Sequence, residues 1–267
     1  MHKNKWPIFI LLLKFLTSLD ASASFDHSYK LYGEILAKVI VDSEFSSKVN
    51  YSLLSTSPAE LDRFLAQVEA VKRAEYDSWS EAEKITFLIN SYNAFTLKLV
   101  AQGLKENPTL KSIRDLGGIF SSPWKKRFFQ FLGEKSHLDR IEHELARGSF
   151  DEPRMHFAFN CASIGCPKLN KTPFLPKQLD VDLEAATAIF LRDQSRNRYN
   201  EANGRLEISS LFKWYRKDFD SSKKISSVYE LLEKHMSLPK DILPKLKTRE
   251  LKIDYLDYDW ALNRIDP

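Results

Sequence analysis

Helical spacing dominates the pattern of apolar and polar positions, and runs of two-residue alternation are few and short. Leu31, Ile35, Leu36 and Val39 keep a helical period over 29–41. Ser57-Pro58-Ala59-Glu60 has the form of a helix start, with Ser as cap, Pro at the first helical position and Glu three residues after the cap. The helix behind it should run to about Val71. Ser80-Glu81-Ala82-Glu83 repeats the capping box and opens a helix over 81–102, with Gly103 as its expected stop. The second half of that helix is apolar nearly all round (Ile85, Phe87, Leu88, Ile89, Phe95, Leu97, Leu99, Val100), as in a central, buried helix. Asn90, Tyr92 and Asn93 interrupt it. A buried amide left without a partner costs about 1–3 kcal/mol, so Asn90 and Asn93 either tie down a neighbouring loop or face a site.

Beyond it, 127–132 and 135–138 flank Gly133-Glu134, which predicts a hairpin with a Gly-X turn. Asp139 follows, with Glu142 three residues on, a capping box with Asp as cap for a short helix to about Arg147. Met155, Phe157 and Phe159 alternate with His156, Ala158 and Asn160. That fits a strand leading into Cys161, with a helix carrying Cys161 near its start as the competing reading. A helix is expected over 179–191, and Asn203-Gly204 signals a type I′ hairpin. Ser210 is placed to cap a short helix bearing Phe212, Trp214, Tyr215 and Phe219, Ser227 and Glu230 bracket another helix start, and 251–260 alternates like a strand. Helices and strands interleave without repeats or long linkers. The expected class is α+β, a mostly helical domain with a few short hairpins and strands.

Charge and composition narrow the function. The formal net charge is +4, of which the first 23 residues hold +2. The remainder is too close to neutral for a nucleic-acid or anionic-membrane surface. Trp124-Lys125-Lys126-Arg127 reads as a solvated basic loop. The N-terminus has the form of a signal peptide: basic Met1–Lys5, an apolar run from Trp6 to Leu19, then Ala21-Ser22-Ala23. The apolar run is shorter than the ~20 residues of a membrane span and is broken by Pro7 and Lys14. Cleavage near Ala23 would leave a periplasmic or secreted protein starting at Ser24 with no stable membrane anchor. Only Cys161 and Cys166 are present, and in an oxidising compartment a pair this close is a disulfide candidate.

Reactive side chains concentrate between Asp139 and Cys166. Asp139, His143 and Arg147 are spaced by four, one stripe of a helix. A carboxylate there can orient the imidazole, and a Cys within its reach would be activated as thiolate. Cys161 is followed by Ala162, Ser163 and Gly165, whose small side chains let backbone N–H groups approach an oxyanion. Each residue also has a plainer reading. Glu142 suits a helix cap, His143 a helix-end position, and His156 a satisfied core histidine. Arg147 and Arg154 suit ion pairs with nearby acids, and Cys161 with Cys166 a structural disulfide. Cys161, Cys166, His143 and His156 do not keep the ligand spacing of structural zinc sites. No metal or other cofactor is expected, and the motifs G-x-S-x-G, Walker, H-E-x-x-H and G-x-G-x-x-G are absent from the sequence.

These segments resemble a known family. Phe87-Leu88-Ile89-Asn90-Ser91-Tyr92-Asn93-Ala94 resembles its W-I-N-x-Y-N-A helix, and Leu138-Asp139-Arg140-Ile141-Glu142-His143 its L-x-D-I-E-H motif. Residues 151–167 resemble its D-P-R-x-H-F-A-x-N-C-x-S-x-x-C-P block, with Glu152 inserted between Asp151 and Pro153. Residues 209–215 and 255–260 also fit. The family is the domain of unknown function number 547. The resemblance runs from about Tyr29 to Asn263, which favours a single domain over 24–267. It implies export for bacterial members. It implies thiol chemistry through eukaryotic members fused to glutaredoxin-like modules, and a lesser role for Cys166, which plant members lack.

The leading expectation is a thiol hydrolase or acyl transferase. Cys161 would be nucleophile, His143 base, and Asp139 or Glu142 its orienter, with Asn90 or Asn93 as oxyanion donors. Arg147, His156 and Asn160 would line the binding site. His before Cys is the order of a permuted papain-like arrangement, by analogy alone. Two alternatives stand beside it: a non-catalytic module binding a small molecule or peptide over a structural Cys161–Cys166 disulfide, and a thiol–disulfide exchange protein.

Overall fold

The computed structural model describes residues 24–118, 121–225 and 227–265. The expected signal peptide, residues 1–23, lies outside the described residues. The fold is built around the helix Glu81–Glu106. Ser80 accepts from the Glu83 N–H while the Glu83 carboxylate accepts from the Ser80 N–H, so the capping box forms as the sequence predicts. Every residue from Ile85 to Leu97 is buried. Gly103 does not end this helix. A Cβ at Gly103 would lie 2.3 Å from Leu116 Cδ2, so the glycine marks a close approach of the following segment, and the helix continues to Glu106.

Two layers cover the central helix. The helices Lys30–Val39, Tyr51–Thr56 and Ala59–Ala70 pack on one side. The Phe129–Phe131 and Glu134–Ser136 hairpin seals a seam of stacked rings, Phe95 on Phe129 at 3.7 Å and Phe87 on Phe131 at 5.2 Å. Burying such a ring contributes about 1.5–3 kcal/mol. The second layer packs the helix Leu179–Arg192 on the 3-10 turn Pro153–Phe157 and on the helix Val228–His235. Its core is an aromatic cluster of Phe157, Phe190, Phe212 and Phe219. Strands Arg198–Asn200, Arg205–Ser209 and Ile253–Leu256 form one small sheet, antiparallel in the first pair and parallel in the second. The architecture is therefore α+β and mostly helical, with short strands in small sheets. Among the described residues no helix is long and apolar enough to cross a membrane.

Several local expectations are corrected. The 129–136 hairpin pairs Phe131 with Glu134, so its turn residues are Leu132 and Gly133, both at positive φ (53° and 86°), a two-residue turn of the primed kind. Asn200 pairs with Arg205, which makes the Asn203-Gly204 connection a four-residue loop. Asp139 does not cap a helix, and Arg140–Ala146 is a π-helix. Residues 155–160 form neither a strand nor a helix carrying Cys161: the 3-10 turn ends at Phe157, and Cys161 sits in an irregular loop. Both sets of the alternating residues are buried, so the alternation did not mark a half-buried strand.

Candidate functional site

Six separate stretches of the chain converge on one cavity of about 320 Å³. The π-helix Arg140–Ala146 and the residue before it supply Asp139, Glu142 and His143. The 153–157 turn supplies His156, and the loop after it supplies Phe159, Cys161 and Pro167. Tyr92 comes from the central helix and Trp124 from the 3-10 turn Pro123–Lys125. The short helix Leu211–Trp214 brings Trp214 and Tyr215, and the C-terminal segment brings Tyr258 and Trp260.

The π-helix decides where its side chains point. The Arg147 N–H bonds to the Glu142 carbonyl, a wider turn than an α-helix makes and one that recurs at functional sites. Glu142 is turned inward and accepts from the Tyr215 hydroxyl at 2.6 Å. Burial, then the charge of Glu142, raises the Tyr92 hydroxyl well above the usual tyrosine range. Burial, then the charge of Glu142, holds the Tyr215 hydroxyl far above the usual tyrosine range. Burial also raises the Asp139 carboxyl, with His143 and Lys125 opposing.

Asp139, His143 and Arg147 form the expected stripe, but its wiring differs from a simple carboxylate–imidazole pair. Arg147 Nη1 lies 2.7 Å from His143 Nδ1. A guanidinium only donates, so His143 accepts at Nδ1 and carries its proton on Nε2, 3.8 Å from Asp139 Oδ1. Arg147 also donates through Nε and Nη2 to the carboxylate of Asp218, at 2.5 and 2.9 Å. His156 Nε2 donates to the same carboxylate at 2.7 Å. Burial pushes Asp218 up, yet the bonds from His156 and Arg147 outweigh it and leave it well below the usual carboxylate range. Burial lowers the His156 imidazole in turn. His156 is thus neutral near pH 7, stacked on Tyr215 at 3.8 Å, with Nδ1 buried and without a partner.

Cys161 is joined to Cys166, with Cα atoms 6.0 Å apart, and there is no free cysteine. Cys161 is half-buried at the cavity wall and Cys166 is buried. The Cys161 sulfur lies 3.3 Å from the Ser163 hydroxyl and 3.4 Å from the Tyr258 hydroxyl. The loop is held tightly. Asn160 accepts from the Ala162 N–H and donates to the Pro167 carbonyl. Ala162 sits at φ 63°, a left-handed conformation that costs roughly 1–2 kcal/mol for a residue with a Cβ. The Gly165 N–H bonds to the Asp259 carbonyl, and a Cβ there would press on that carbonyl and on the Tyr258 ring at 3.0 Å.

The site residues expected from sequence divide cleanly. Asp139, Glu142, His143, His156 and Cys161 are brought together. Asn90 and Asn93 are not brought to the cavity. Asn90 exchanges two bonds with the Phe174 backbone, and Asn93 ties the Ala158 carbonyl to the Asn160 N–H. Arg147 stands behind His143, and Asn160 supports the Cys161 loop. The Gly165 N–H is engaged by Asp259 and is not open to an oxyanion. Tyr215, Tyr258, Trp124, Trp214 and Trp260 were not singled out as site residues. Four of them lie in the segments 209–215 and 255–260, which fit the family pattern, so the signal was present. Asp218 gave none.

The comparisons with known proteins cover part of this site. Comparison with curated proteins and comparison with solved structures each return no match. A family model does match, over residues 76–191, a narrower span than the motif resemblance. The span contains Tyr92, Asp139, Glu142, His143, His156 and Cys161, whereas Trp214, Tyr215, Asp218, Tyr258 and Trp260 lie beyond it. Residues 76–191 of the chain match the model of the family described as "Protein of unknown function, DUF547".

Proposed function

We propose that the chain is an exported thiol enzyme, a hydrolase or acyl transferase that works through Cys161 when the Cys161–Cys166 bond is reduced. The carrying observation is the convergence of Cys161, two imidazoles and two carboxylates from distant segments on one aromatic-walled cavity. The proton roles follow from the hydrogen bonds. His156, oriented by Asp218 and unpartnered at Nδ1, is the base. His143, with Nδ1 occupied by Arg147, offers an N–H to developing negative charge. Hydroxyls of Ser163 and Tyr258 beside the sulfur favour its thiolate. Reduced protein treated with iodoacetamide near neutral pH should label at Cys161 faster than a free model thiol. Labelling no faster than the model thiol refutes the proposal.

A second reading has one observation in its favour. The pair is asymmetric, Cys161 at the cavity wall and Cys166 buried behind it, the arrangement of an attacking and a resolving thiol in disulfide exchange. A redox titration separates this from a structural disulfide, for which the potential falls below about −300 mV.

A further inference from the structure

The floor of the cavity carries a charge that no cation among the described residues balances. Glu142 is 6% exposed, and its side chain's hydrogen-bond partner is the neutral hydroxyl of Tyr215. Arg147 feels the charge of Glu142 but is already held by both oxygens of Asp218. A carboxylate taken out of water without a cation costs several kcal/mol. Asp139 lines the same cavity, and no Lys or Arg side chain among the described residues does.

Two further features ask for the same kind of ligand. The wall is a continuous set of rings: Trp214 stacks with Trp260 at 5.7 Å, Tyr258 lies 4.6 Å from Trp260, and Trp124 meets it at 5.8 Å. Ring faces attract cations, and Arg114 already lies over Trp260 at 5.3 Å. The second feature is His156. It is buried, lines the cavity, and its unpartnered Nδ1 accepts an N–H. An anion meets two carboxylates here, and a quaternary ammonium has no N–H to give. The cavity volume is at the small end of ligand sites.

We propose that this cavity binds a primary alkylammonium ion, with its charge on Glu142 and Asp139, an N–H on His156 Nδ1, and its carbon stem along Trp214 and Trp260. This rests on the cavity of the acyl-transfer reading and deepens it by naming the amine as the acceptor or leaving group. The binding itself requires no free thiol.

The test is tryptophan fluorescence of the full protein, oxidised and reduced, titrated with n-butylammonium chloride against a sodium chloride blank. Three of the five tryptophans report from the wall. A saturable change is expected with the amine. Binding of n-butanol should be about tenfold weaker or less, and n-valerate should not bind. Trp214→Ala, at a half-exposed position where folding should be unaffected, and Glu142→Gln should each weaken the amine about tenfold. Equal binding of the alcohol, tighter binding of the acid, unchanged affinity in both variants, or no saturation up to amine concentrations on the order of 100 mM overturns the proposal. An inert thiol with intact amine binding refutes only the acyl-transfer reading. A reactive thiol without amine binding refutes only this one.

Discussion

Asp218→Asn is the substitution that most directly tests the wiring behind the cavity. The side chain keeps its size but loses its charge, and one of its two acceptor oxygens becomes a donor facing other donors. Asp218 now accepts three bonds, two from Arg147 and one from His156. Bonds to a charged group contribute about 1.5–3 kcal/mol each when buried. Arg147 and Asp218 are 27% and 23% exposed, so solvent screens their share, whereas the His156 side chain is only 3% exposed and keeps most of its bond. The expected loss at pH 7 is about 3 kcal/mol. At about 2–4 °C per kcal/mol for a chain of this size, Tm should fall by roughly 6–12 °C. Urea unfolding followed by circular dichroism measures the loss, and the same curves test the sign of the pH dependence. Asp218 is depressed in the folded state, so its contribution is present above the unfolded value of about 3.9 and disappears as pH falls through the folded value. The gap between wild type and variant should therefore narrow below about pH 4. A loss under about 1 kcal/mol at pH 7 would mean that Arg147 and His156 find equivalent partners without Asp218, and the proposed orientation of His156 would fail with it.

Three other outcomes are expected. Burial lowers the imidazoles of His27, His156 and His235 in the folded state, so stability should fall as pH drops below the unfolded value of about 6.5. His156→Gln should remove about one proton from that slope, roughly 1.4 kcal/mol per pH unit, in urea titrations between about pH 5 and 7. Asn93→Ala leaves the Ala158 carbonyl and Asn160 N–H unpaired and should cost about 2–4 kcal/mol, with hydrogen exchange at Asn160 and its neighbours faster than in wild type. Reducing the Cys161–Cys166 bond, which closes a short loop, should lower stability by only about 2 kcal/mol without unfolding the chain, as judged by denaturation with and without a thiol-free reductant.

How legible each part of the site was follows from where its information lies in the chain. The central helix could be read locally, because a capping box and a long apolar run act within a few turns. Asn90 and Asn93 were legible as amides that need partners, since that follows from burial alone, but the choice between loop and ligand depended on where 158–174 returns to the helix. The π-helix was not legible. Leu138, Ile141 and Leu145 are apolar at α-helical spacing, yet the wider turn buries Ala146 more fully than Leu145 and docks Glu142 on Tyr215. The alternation of 155–160 misled because residues of both parities are buried, so the pattern held no information about a solvent face. Roles were harder to read than positions. Asp139, His143 and Arg147 were placed on one stripe by spacing, yet spacing could not show that Arg147 holds the acceptor nitrogen of His143. That depends on Asp218, more than seventy residues away in the chain, fixing the guanidinium in place. The same carboxylate fixes His156, so one residue with no sequence signal assigns the protonation of both imidazoles. A reactive cluster read from a linear motif therefore identifies which side chains share a cavity, while the long-range partner decides which of them can take a proton.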